Sequence, residues 1–177
     1  ASIGDRCRAA IECGCGVSTI AIARLFAARG EGTVHALEHE PDWAERTRSR
    51  IAGEGLEAHA RVIDAPLRPD SLAAPGCGWY DRAALGELPP AGVGLLLVDG
   101  PPASPGSGAE RSRYPALPLL ADRLAPGATV ILDDALRDGE RWVLERWERE
   151  LAIDLARRGA GRLAMGVYVA HPNAEAP

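Results

Sequence analysis

Lysine is absent from this 177-residue chain, so all 20 of its basic side chains are arginine. That removes lysine as a general base or Schiff-base former. An excess of positive charge is missing too. The 20 basic groups face 25 acidic ones, for a net charge of −5, so nothing resembles the basic footprint of a nucleic-acid binder and no nucleic-acid partner is expected. No run of 18 apolar residues occurs, which argues against a membrane span. No charged start followed by an apolar stretch marks a secretion signal, and the expected location is the cytoplasm. The first residues, ASIGDRCRAA, lead almost at once into a strand. The chain therefore reads as a single domain over residues 1–177 that begins close to its first strand, as one lacking an N-terminal segment would. The four cysteines, Cys7, Cys13, Cys15 and Cys77, do not form the paired C-x-x-C spacing of a zinc site. A chain of this length also folds without disulfide staples. Cys13 and Cys15 read as small fillers beside a turn.

What is present is an ordinary globular balance, 46% hydrophobic and 25% charged, arranged as alternating strands and helices. RAAIEC is a short apolar strand that ends at a glycine turn. Residues 17–29 have helical spacing, with Val17, Ala21 and Leu25 on one stripe beside Ile22 and Phe26, and Gly30 as the stop. TVHALE (33–38) is a second strand. Pro41 opens a helix with Trp43, Thr47 and Ile51 on its inner stripe, and AHARVID (58–64) is a third strand. Prolines and glycines interrupt residues 65–92, apart from a short helix near 82–88. VGLLLVD (93–99) is apolar throughout, as in a parallel strand buried on both faces. A long loop, GPPASPGSGAERSR, precedes a helix over 114–124. ATVILDD (128–134) is another buried strand. Asp138 caps a helix that turns Val143, Trp147 and Leu151 inward. LAIDLAR and RLAMGVYVA close the chain as a hairpin. This order predicts an α/β fold: a doubly wound, mostly parallel seven-stranded sheet whose last strand is antiparallel.

In such sheets a ligand sits beyond the carboxyl ends of the strands. The first strand delivers Glu12, Gly14 and Gly16 to that rim, where residues without a Cβ allow a sharp bend and a close approach. The second strand ends at Glu38, about 20 residues further on, where a carboxylate can accept from both hydroxyls of a ribose. The third ends at Asp64, which can accept from an adenine amino group while the Ala65 amide faces the ring.

These residues resemble the Rossmann-like class of S-adenosylmethionine-dependent methyltransferases. ECGCG is similar to their E/D-x-G-x-G turn, and the closing hairpin to their antiparallel last strand. The likeness runs from Arg8 to Val169. It implies that Gly14 and Gly16 pass under the methionine part of S-adenosylmethionine. It further implies that Glu12 holds the amino group or orders the loop, that Glu38 binds the ribose, and that Asp64 and Ala65 bind the adenine. Thr19 stands where dinucleotide enzymes place a third glycine, which lowers the rival reading of an NAD-type oxidoreductase.

Asp99 ends the fourth long strand, and Asp133 and Asp134 end the fifth. Three acids on neighbouring strand tips can hold one hard cation, and catechol-type O-methyltransferases bind Mg²⁺ with a similar set. Asp99 also belongs to the cofactor loop on this reading. The loop after Asp99 has no lysine to act as base, Arg137 is too weak an acid to replace it, and His39 and His171 qualify by residue type alone, so no catalytic base is assigned. Trp79, Tyr80, Arg113 and Tyr114 are read as the lining of a substrate mouth, with Trp79 and Tyr80 read equally as anchors of a loop onto the sheet. The expected function is methyl transfer to a small-molecule acceptor, on oxygen and with a divalent metal in attendance. The second rival is a non-catalytic Rossmann-like binding module. The sequence does not give the oligomeric state.

Overall fold

The computed structural model describes residues 7–102, 111–151, 153–158 and 163–168. Most of the loop after Asp99, the tip of the closing hairpin and His171 lie outside these residues. The elements are β1 (Ala9–Cys13), α1 (Val17–Arg29), β2 (Thr33–Glu38), α2 (Pro41–Gly53), β3 (Ala60–Asp64), β4 (Leu67–Pro69), β5 (Gly78–Tyr80), β6 (Val93–Val98), α3 (Ala116–Leu120), β7 (Leu124–Leu132), α4 (Asp138–Leu151), β8 (Asp154–Arg158) and β9 (Leu163–Val167). Single 3₁₀ turns cover Ala84–Glu87 and Ala121–Arg123.

Seven strands form one sheet in the order β3-β2-β1-β6-β7-β9-β8. The neighbours from β3 to β7 are parallel, and β9 runs antiparallel between β7 and β8. The chain reverses direction of travel at β1, where β2 lies on one side and β6 on the other, and this is the switch point where doubly wound sheets bind ligands.

Strand periodicity sorts the core into two layers. Ala10, Val34, Val62 and Leu95 pack with Ile20, Ile22, Ala23 and Phe26 of α1 and with Ala44 and Ile51 of α2. Ile11, Leu37, Ile63, Leu96 and Val98 point to the other face, against Leu117, Leu120, Val143 and Trp147 of α3 and α4. Trp147 is fully buried, and its Nε1 donates to the Tyr114 carbonyl at 2.8 Å. Losing such a side chain costs about 3–5 kcal/mol.

Three expectations need correction. The buried face of α1 is Thr19, Ile20, Ile22, Ala23 and Phe26, and Val17 is exposed. So many positions of this helix are apolar that its period does not single out one stripe. Trp43 is half-exposed while Thr47 and Ile51 are buried, so the inner stripe of α2 leaves out its largest residue. Finally, β4 and β5 pair as a small antiparallel sheet within the segment read as irregular.

Candidate functional site

The parallel register brings the carboxyl ends of β1, β2, β6 and β7 to one rim. Cys13 pairs with Leu37 and with Val98, and Val98 with Leu132. Ladder-like hydrogen bonds continue past the strand ends and fix the loops. Gly14 N–H donates to Leu37 O (2.9 Å), Gly100 N–H to Cys13 O (2.7 Å) and Asp133 N–H to Val98 O (3.0 Å). Gly14 has φ of 89°, which favours glycine. A Cβ there would lie 3.3 Å from Gly100 N, and one on Gly100 would lie 2.5 Å from the Tyr80 hydroxyl. Two backbones and a phenol therefore meet where no further side chain fits.

Glu12 faces inward from β1 and is fully buried. It accepts hydrogen bonds from the Ser18 and Thr19 hydroxyls, and Thr19 Oγ1 in turn accepts from Gly16 N–H at 2.9 Å. This latch joins the strand to the first turn of α1. The Thr19 that replaces a third glycine is therefore a working part of the turn. Burial pushes the Glu12 carboxyl up to about 7, against the pull of the Ser18 and Thr19 hydrogen bonds. The Glu12 carboxylate thus contacts the turn through Ser18 and Thr19.

Glu38, at the tip of β2, is held by three main-chain N–H groups, with the His39 ring beside it, Nδ1 2.9 Å from Oε1. Its Oε2 accepts from Cys15 N–H (3.0 Å), and its Oε1 from His39 N–H (2.8 Å) and Glu40 N–H (2.9 Å). These contacts set the orientation of the carboxylate. The carboxylate borders a crevice of about 450 Å³, lined also by Gly14, Cys15, His39, Trp43, Tyr80, Asp99 and Gly100. That size suits a small ligand.

Several of these lining residues were not anticipated. Trp43 donates its Nε1 to Cys15 O at 2.6 Å and lies beside Gly16. Tyr80 divides the two readings made of it: it packs in the core at 1% exposure and also lines the crevice, and among the described residues its hydroxyl has no hydrogen-bond partner. Burial raises its phenol well above the usual value, so it remains a neutral donor. Trp79 is purely an anchor, fully buried against its neighbour. The Cys15 thiol is pushed up to about 12 by burial, which makes it inert. The sequence signal available for His39 and Trp43 was their place directly after the strand-end acid.

Asp64 and Ala65 are not part of the crevice lining. The Asp64 side chain is largely exposed and paired with Arg48 Nη2 at 2.7 Å. The Ala65 amide donates to Glu38 O at 2.7 Å.

At the far side of the rim, carboxylate oxygens of Asp99, Asp133 and Asp134 lie within 4.8 Å of one another. Arg113, only 3% exposed, sits among them. Its Nη2 is 3.2 Å from Asp99 Oδ1 and 3.5 Å from Asp134 Oδ2. Its Nη1 donates to the Asp133 carbonyl at 3.1 Å and lies 3.4 Å from Glu140 Oε1. Arg137 Nη1 also meets Asp134 Oδ2, at 2.9 Å. Burial raises the Asp99 carboxyl, and Arg113 opposes that shift. At an effective dielectric of 20, like unit charges 4 Å apart repel by about 4 kcal/mol, and a divalent ion beside a guanidinium by about twice that. As arranged, Arg113 already engages the Asp99 and Asp134 carboxylates that a divalent ion would need. Arg113, read as a mouth residue, is instead a buried counter-ion, and Tyr114 Oη donates to Glu150.

A glycine bend and an amide-held strand-end carboxylate at the switch point of a sheet with this strand order match a Rossmann-like methyltransferase domain. The model of the family described as "Methyltransferase domain" matches residues 11–135, and the chain belongs to that family. No curated protein matches the sequence. Among solved structures, the O-methyltransferase TomG from Streptomyces achromogenes, involved in tomaymycin synthesis and in complex with SAM, is 16% identical. The match covers 93% of this chain and 74% of that one, with a TM-score of 0.63. The Bacillus cereus O-methyltransferase in complex with SAH is 21% identical over 91% and 74% of the two chains, TM-score 0.60. Cofactor-bound Rv0187 from MTB is 19% identical over 94% and 75%, TM-score 0.64. At these identities the likeness is one of fold. No helix among the described residues is long and apolar enough to cross a membrane.

Proposed function

We propose that this methyltransferase takes its methyl group from S-adenosylmethionine and delivers it to an oxygen of a small-molecule acceptor. The observation that carries the reading is the Glu38 carboxylate, set by three main-chain N–H groups at the edge of a crevice that also holds the Gly14 bend. Such a carboxylate suits two ribose hydroxyls. The unpartnered Tyr80 hydroxyl supplies a buried donor on the same wall, as expected of a pocket that completes its hydrogen bonds only with a ligand bound.

When bound, the sulfonium supplies the driving force for transfer. The chain's own residues bind and orient. Glu12, Ser18 and Thr19 hold the bend rigid. Gly14 and Gly100 leave room for close approach, Glu38 sets the ribose, and Trp43 and Tyr80 shield the crevice from water. This is catalysis by alignment, and no base is assigned. The magnesium implied by the family resemblance is left out of the reading, because the Arg113 guanidinium already engages the Asp99 and Asp134 carboxylates. Neighbours named as O-methyltransferases support oxygen as the acceptor atom.

The test is thermal unfolding. S-adenosylhomocysteine is expected to raise the melting temperature while NAD⁺ does not; the opposite result favours the oxidoreductase. A labelled-methyl assay against a small-molecule extract then separates an enzyme from a binding module, which would bind cofactor and transfer nothing.

A further inference from the structure

We propose that Arg113 is the resident cation of the Asp99–Asp133–Asp134 cluster, taking the place of a divalent ion, and that the reaction at this site runs without one. The guanidinium reaches all three residues: the carboxylates of Asp99 and Asp134 and the main-chain carbonyl of Asp133. Glu140, itself buried, faces it from α4. Asp133 turns its carboxylate to the Asp134 amide at 2.6 Å, so its oxygen serves the loop. Arg137 takes the remaining share of Asp134.

The placement of Arg113 is built into the chain. Ser112 Oγ donates to the Pro101 and Pro102 carbonyls, at 3.1 and 3.3 Å, and ties the segment to the loop that carries Asp99. On the other side the Tyr114 carbonyl is held by Trp147. A guanidinium fixed from both sides satisfies carboxylates as a metal would, but it offers no open coordination position. Asp99 still lines the cofactor crevice, and Arg113 is the positioning residue that holds it there. The consequence for substrate class rests on the methyl-transfer reading: without an ion to chelate, the acceptor is selected as a single hydroxyl and not as a pair of adjacent oxygens. The binding of ions does not depend on that reading.

The experiment titrates Mn²⁺ into the full chain and follows the free-ion electron paramagnetic resonance signal, with and without S-adenosylhomocysteine. For the wild type the signal is expected to remain that of the free ion up to about 1 mM, the weak end of protein ion sites. Arg113→Met, which keeps the bulk and removes the charge, is expected to gain Mn²⁺ affinity by roughly tenfold or more. Wild-type binding below about 1 mM that disappears in Asp133→Asn overturns the proposal. So does a folded Arg113→Met protein with no gain. If that variant does not fold, the wild-type and Asp133→Asn titrations decide. Failure to bind S-adenosylhomocysteine sinks the cofactor reading and leaves the ion claim standing.

Discussion

The rim of the sheet carries two groups of acids that are held in opposite ways. Glu38 is fixed by main-chain amides and opens onto a crevice. Asp99, Asp133 and Asp134 surround a buried guanidinium. Amide donors orient a carboxylate without cancelling its charge, so it can still accept from a ligand. An arginine orients its carboxylates and offsets part of their charge together. Acids at strand ends therefore do not announce binding by position alone; what holds them decides whether they can receive anything else.

The largest effect expected from this contrast falls on Glu38. On the proposed ribose role, Glu38→Ala would remove two charge-assisted bonds, each worth about 1.5–3 kcal/mol, and should weaken S-adenosylhomocysteine by at least ~100-fold in calorimetric titration. A change under about threefold would show that the amide-held acid is as closed to ligands as the arginine-held ones.

Next is the pH dependence of the Glu12 latch. Its folded-state value of about 7 lies above its ordinary 4.5, so the folded protein keeps the proton while the unfolded chain releases it. The stabilisation is complete below about 4.5, declines as pH rises, and is gone above about 7, a span on the order of 3 kcal/mol. Urea unfolding between these limits should show Glu12→Gln gaining on the wild type as pH rises. Parallel curves would mean that the buried carboxyl does not titrate in this window.

A smaller effect is expected where the crevice wall closes. Gly100→Ala places a Cβ 2.5 Å from the Tyr80 hydroxyl and should cost about 1–3 kcal/mol of stability. Adding Tyr80→Phe should recover part of it, and strict additivity would disprove the contact. The smallest effect is assigned to Asp64→Asn. Its exposed pair with Arg48 is worth about 0–1 kcal/mol, and cofactor affinity should hold within about threefold. A large loss would return Asp64 to the adenine site.

The same division governs what the sequence made legible. Periodicity and punctuation located β2, α1 and α2, because Gly30 and Pro41 mark boundaries by their backbone chemistry. The Gly14 bend and Glu38 were readable because main-chain geometry brings them to the rim of any sheet wound this way. The role of Arg113 was not, since it depends on a loop folding back over two strand tips and meeting acids 14 and 21 residues away. Trp43 was misplaced because hydrophobicity suggested burial, while its indole N–H sought the Cys15 carbonyl at the surface. β4 and β5 are three residues each, too short to show a period of two.

The most direct measurement is a crystal structure with S-adenosylhomocysteine bound to the wild-type chain. The account predicts both ribose hydroxyls on the Glu38 carboxylate, within about 2.5–3.0 Å, with the homocysteine passing beside Gly14 and the Tyr80 hydroxyl. A nucleoside bound away from Glu38, or a crevice left empty at saturating ligand, would contradict it.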